Sequence, residues 1–191
     1  MLSLYTLFWI MVVFFGLMGM LRGWTKEIIA TSGLVLSLFA QLWFGQVLVG
    51  LVARDSAEAI KTQFMVRSAA HILFAFFAYQ GPTLVRQVAR GRFGERARSN
   101  IQEAALGFIV GAINGYLIVG TIWSFLEYNI VDRVAIPYAI TMPYPFPESI
   151  IARPTAGPAL DLITKLPLPL LQGWLPLLVV VLFLFVIIAM I

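Results

Sequence analysis

The chain has 191 residues, 61% hydrophobic and 12% charged, with 13 Lys and Arg against 9 Asp and Glu and a net charge of +4. A soluble globular domain carries about 25% charged residues, so this supply is too small to coat a water-facing surface and excludes disorder, a nucleic-acid-binding domain and an ordinary soluble enzyme as first readings. The absence of cysteine removes a disulfide framework, thiolate metal ligands and a thiol nucleophile.

Five stretches of 18 residues or more lack Asp, Glu, Lys and Arg altogether: residues 1–21, 28–53, 68–85, 104–126 and 166–191. A helix needs about 20 predominantly apolar residues to cross a hydrocarbon core of roughly 30 Å. The pattern predicts an all-α fold, a polytopic transmembrane helical bundle of four to five spans plus a short interfacial amphipathic helix. Residues 1–126 are its four-span membrane core, 127–165 a surface segment rich in proline and aromatics, and 166–191 a C-terminal hydrophobic helix.

The first run has no basic residue ahead of it and reaches Arg22 without a small-residue cleavage site, which reads as a retained span. Gly16, Gly19 and Gly23 repeat along it at helical spacing. After the second run, Ala53, Ala57, Ile60 and Phe64 recur at helical spacing among Arg54, Glu58, Lys61 and Thr62. That segment is either an interfacial helix lying apolar side down or an amphipathic extension of the next span. The third run holds Gln80, Pro82 and the single histidine, His71. Pro82 lacks an N–H and crowds the carbonyl of Ala78, so a kink is expected there. His71 is a candidate axial ligand for a haem or chlorin, a proton relay, or a neutral packed residue. The packed reading is the default, because no second ligand accompanies it. Arg86, Arg90, Arg92, Arg96 and Arg98 follow, read as a topology anchor that also touches lipid phosphates.

In the fourth run Gly107, Gly111 and Gly115 fall four residues apart, on one slowly drifting helix face bordered by Asn114. A face without side chains lets another backbone approach closely, which is how helices associate inside lipid; the expected partner is the first span. Glu103 at the head of this run suits the helix dipole. Tyr138, Tyr144 and Phe146 among Pro137, Pro143, Pro145, Pro147, Pro154 and Pro158 predict a segment packed on the membrane surface or on a partner. The fifth run opens on Pro167, Pro169 and Pro176, leaving 175–191 as its regular part.

The first and third connections carry Arg22, Lys26 and the five arginines; the opposite ones carry Arg54, Lys61, Arg67, Arg133, Arg153 and Lys165. The density within 86–98 places that loop in the cytoplasm and the N-terminus outside. With one histidine and no cysteine, neither a histidine-rich metal site nor a nucleophilic triad can be assembled. No charge lies deep in a run, so the buried carboxylate of an ion-coupled transporter is not expected. Thr31, Ser32, Ser37, Gln41, Asn114, Thr121 and Ser124 look scattered, which ranks a small channel or transporter last.

Arg22-Gly23-Trp24-Thr25-Lys26-Glu27, directly after the first span, resembles the arginine-glycine-aromatic-x-basic-glutamate junction of the colicin V production protein family. The stretch Leu106-Gly107 through Gly111, Asn114-Gly115 and Leu117-Ile118-Val119 is similar to that family's second signature, and the order of spans fits. Three positions depart from the pattern: Tyr5 stands where the family often has an acidic residue, Glu103-Ala104 replaces an aspartate-arginine pair, and Asn114 replaces an arginine. The resemblance implies a bacterial inner-membrane protein linked to colicin V production or export and to envelope maintenance. The expected function is therefore non-enzymatic, exercised without a cofactor through helix packing and partner contacts. The expected partners are the bilayer and other membrane subunits or a second copy, with no nucleic acid. The junction Arg22, Gly23, Lys26 and Glu27 and the glycine faces are its candidate residues. The alternative is an accessory transmembrane subunit of a large respiratory or photosynthetic complex.

Overall fold

A computed structural model describes residues 3–52, 59–88, 101–139 and 144–190. Its elements in chain order are α1 (Leu4–Arg22), α2 (Trp24–Val52), α3 (Ala59–Val88), α4 (Ile101–Glu127), β1 (Tyr128–Val131), β2 (Val134–Pro137), α5 (Pro158–Ile163), α6 (Pro167–Leu171) and α7 (Leu175–Met190). Among the described residues three helices, at Leu4–Arg22, Trp24–Gly50 and Ile101–Glu127, are long and apolar enough to cross a membrane. They coincide with the first, second and fourth predicted runs.

α1 and α2 are separated only by Gly23, whose φ of 87° lies where a side chain is disfavoured. Its N–H still closes the last turn of α1 on the Gly19 carbonyl at 2.9 Å. Gly23 is thus a hinge residue, and its expected place on the packing face is corrected: among the described residues nothing lies within 4 Å of where its Cβ would be. α1 runs antiparallel to α4, with Gly19 against Gly107 and Gly111 at one end and Phe8 against Trp123 at the other. α2 runs antiparallel to α3, pairing Ser37 with His71 and Gln41 with Arg67.

α3 continues through Pro82 to Val88 as one helix of 30 residues. Residues 59–67 are its first turns, so the separate interfacial helix is corrected to an extension of α3. The reason is that Arg67 and His71 both turn inward onto α2, which fixes the same face before and after residue 68. Residues 53–58 of that expectation lie outside the described residues.

The all-α expectation also misses a β-hairpin. Val131 pairs with Val134 across a two-residue turn in which Asp132 and Arg133 take φ of 49° and 69°, the positive-φ geometry that a tight hairpin demands. Arg133 is held there by its guanidinium 4.0 Å over the Trp43 ring. Gln46 of α2 donates to the Ile130 carbonyl, and the Ala135 N–H donates to Gln172 at 2.8 Å. The hairpin therefore ties the end of α2 to the approach of α7. From there α7 runs back along α2 and α4, placing Val181 and Phe185 beside Ile28 and Ile113. Its 16 residues reach about 24 Å at 1.5 Å per residue.

Large apolar side chains face outward as well as into the core. Trp9 is 45% exposed, Phe77 61% and Phe183 64%, while Glu27, Gln41, His71, Asn114, Thr121 and Glu127 are buried. Large apolar side chains facing outward over an apolar core that also encloses these polar groups need an apolar solvent.

Candidate functional site

The junction after α1 folds into a buried polar knot. Glu27 sits in the first turn of α2, where the helix dipole favours a carboxylate, and is 1% exposed. Arg22 Nη1 donates to Glu27 Oε1 at 2.7 Å, while Arg22 Nη2 donates to the Tyr79 carbonyl at 3.0 Å. The guanidinium lies 4.4 Å from the centroid of the Tyr79 ring. Tyr79 Oη and Asn114 Nδ2 donate to Glu27 Oε2 at 3.1 and 2.8 Å. Asn114 Nδ2 also reaches the Glu27 carbonyl at 3.0 Å, and Thr31 Oγ1 donates to Asn114 Oδ1 at 2.7 Å. One carboxylate thereby holds the end of α1, the start of α2, the far half of α3 and the middle of α4. Lys26 is half-buried beside it. The expectation of no buried carboxylate in a span is corrected here. Glu27 closes a charged junction in sequence, yet α2 begins three residues before it and carries it inward.

Glycine removes the side chains that would keep α1 from α4. A Cβ on Gly19 would stand 2.3 Å from the Gly107 carbonyl oxygen, one on Gly111 2.4 Å from that of Phe15, and one on Gly115 2.8 Å from the Phe15 Cβ. A Cβ on Gly16 would stand 2.8 Å from the Phe108 ring. Backbone contacts this close gain dispersion along the whole interface.

At the far end of α4 a second carboxylate, Glu127, is fully buried. Arg153 reaches Glu127 Oε2 with Nε at 3.0 Å and Nη2 at 2.6 Å, and also donates to the carbonyls of Tyr138 and Ala139. Tyr144 donates to Glu127 Oε1, and Trp123 Nε1 bonds Tyr144 Oη at 3.1 Å. Burial and then the hydrogen bond to Glu127 raise the Tyr144 pKa above the ordinary tyrosine value, so the phenol stays protonated and keeps donating. This fork is what seats the proline-rich segment on the bundle. In Arg153→Lys a single ammonium replaces the fork, and the expected result is faster protease cleavage within 144–166 at unchanged helix content. Equal cleavage rates in limited proteolysis would show that the fork does not seat the segment.

His71 lies between the two carboxylates, bonded to Ser37 at 2.8 Å and edge-on to Phe125. Among the described residues no group of His, Asp and Glu is arranged to hold a metal ion. Arg86 lies on α3 with its side chain undescribed, and Arg90, Arg92, Arg96 and Arg98 fall outside the described residues.

The sequence profile of the colicin V production protein family matches residues 6–148. The chain belongs to that family. No curated protein and no solved structure is similar enough to count as a match. Family membership and the membrane-length apolar helices together make this a membrane protein. The knot and the glycine contacts both fall inside the matched region, as do Glu127 and Tyr144; Arg153 lies just beyond it. Sequence reading singled out Arg22, Glu27 and Asn114 but not Tyr79, Trp123, Tyr144 or Arg153. Tyr79 sits 52 residues from Glu27, and no local spacing announces such a pairing.

Proposed function

We propose that the protein is a multi-pass, non-enzymatic protein of the bacterial cytoplasmic membrane with four to five spans. In this reading α3 and α7 cross beside α1, α2 and α4, the N-terminus lies outside and the arginine-rich 86–98 segment lies in the cytoplasm. Its work is done through partner contacts, with other membrane subunits or a second copy, in export or envelope maintenance linked to colicin V production. The observation that carries this reading is the engagement of both buried carboxylates with arginine and neutral donors. Held that way, Glu27 clamps helices together and Glu127 seats the proline-rich segment on α4, and the outward-facing apolar surface is left as the means of association.

The cysteine-free chain makes topology directly testable. Single Arg92→Cys, Asp132→Cys and Met190→Cys variants are treated in intact cells with a membrane-impermeant maleimide. Labelling is expected at position 132 alone; labelling at 92 or 190 overturns the orientation or the fifth crossing. Gentle solubilisation tests the partner contacts. Co-migration with other proteins supports them, whereas migration as a small single-chain particle counts against them. Co-migration with pigment- or haem-bearing subunits would favour the accessory-subunit reading instead. The transport reading gains one observation, since polar residues scattered along the sequence meet at the interface of α2, α3 and α4.

A further inference from the structure

Between the two carboxylate networks lies a third buried polar group whose members are not all satisfied. His71 Nδ1 is 2.8 Å from Ser37 Oγ and the Leu117 backbone of α4 acts on the ring, but among the described residues Nε2 completes no hydrogen bond. The same is true of Ser68 Oγ one turn earlier on α3, Gln41 Oε1 one turn beyond Ser37 on α2, and Thr121 Oγ1 one turn before Phe125 on α4. All four residues are more than nine-tenths buried. They share one level of the bundle, because Ser37 meets His71, Gln41 Nε2 donates to the Arg67 carbonyl at 3.1 Å, and Phe125 packs on the His71 ring at 6.3 Å. Orphaned polar atoms in an interior are costly, and buried water making about three hydrogen bonds is the usual remedy.

Imidazole differs from the other three in that it can also take up charge. We propose that His71 is a reversible proton-binding site served by internal water at the seam of α2, α3 and α4. A hydronium ion transfers one proton to Nε2 and becomes water, while the Nδ1–H is donated to Ser37 Oγ. The charged group nearest in sequence is Arg67, one turn away on α3. α2 carries no charge over residues 28–52, and α4 none over 104–126. Tyr79 on α3, Glu27 and Glu127 at the two ends, and Tyr138 beside Arg67 complete the titratable surroundings. An ionisable side chain inside a membrane bundle marks a functional position by default. The proposal goes beyond partner contact and does not depend on it.

Because the chain has one histidine, isotope-labelled histidine reports on this position alone. Full-length protein in lipid nanodiscs is followed by solid-state NMR of the ring nitrogens as pH falls, together with magnetisation transfer from water. Transfer from water to the ring is expected, with conversion from one neutral tautomer to imidazolium before circular dichroism shows loss of helix. Ser37→Ala should change the tautomer ratio while helix content stays the same. A ring that receives nothing from water, or that stays neutral until the helices unfold, overturns the proposal, as does an unchanged tautomer ratio in Ser37→Ala.

Discussion

Glu27→Ala is expected to lower the stability of the protein by about 3 kcal/mol, within the roughly 3–5 kcal/mol lost when one partner of a buried ion pair is removed. The low end applies because Arg22 retains 20% side-chain exposure and is partly solvated. The substitution leaves the Arg22 Nη1, Tyr79 Oη and Asn114 Nδ2 donors without their acceptor on Oε1 or Oε2. For a chain of this length each kcal/mol corresponds to about 2–4 °C in Tm, so a fall of about 6–12 °C in mild detergent is expected. Glu27→Gln keeps an acceptor oxygen and should fall in between. The Arg22→Met/Glu27→Met pair should be better tolerated than Glu27→Ala, because no charge is then left buried alone. A Tm for Glu27→Ala within about 2 °C of the parent chain, against that expected spacing, would mean the knot is not a clamp.

Gly111→Leu is expected to separate α1 from α4. The added Cβ alone meets the Phe15 carbonyl oxygen at 2.4 Å and the Gly19 Cα at 2.9 Å. Both are backbone atoms of a continuous helix, so no rotamer change relieves the overlap. Overpacking against movable side chains costs about 1–3 kcal/mol; here a whole helix must shift, and the cost should exceed that range. Low membrane abundance and altered mobility of the solubilised protein are the expected readouts. Gly173→Leu is the control, since among the described residues nothing lies within 4 Å of that Cβ. If Gly111→Leu and Gly173→Leu accumulate and migrate alike, the close approach of α1 and α4 contributes little.

The helices were legible because hydrophobicity is a local, additive signal. Runs 1–21, 28–53 and 104–126 fall on α1, α2 and α4, and the proline-marked start of the regular part of the last run agrees with α7 beginning at Leu175. The glycine spacing was legible for the same reason, being a periodicity within one helix. The hairpin was not. Its turn uses Asp132-Arg133 where asparagine-glycine or aspartate-glycine would have signalled it, and the geometry is held by Trp43, some 90 residues earlier. Gly23 continues the spacing of Gly16 and Gly19, which by itself points to a packing glycine, but its backbone turn breaks that helix first.

Charge shows the division most clearly. From the sequence alone, a 12% charged chain with its charges gathered between apolar runs had to meet lipid, since uncovered apolar surface is unstable in water. Which charges remain at the surface was a different matter. Only tertiary structure turned Glu27 toward Arg22, Tyr79 and Asn114, and Glu127 toward Arg153 and Tyr144. A buried carboxylate is tolerable once several donors converge on it, and donors contributed by helices distant in sequence meet only when those helices pack.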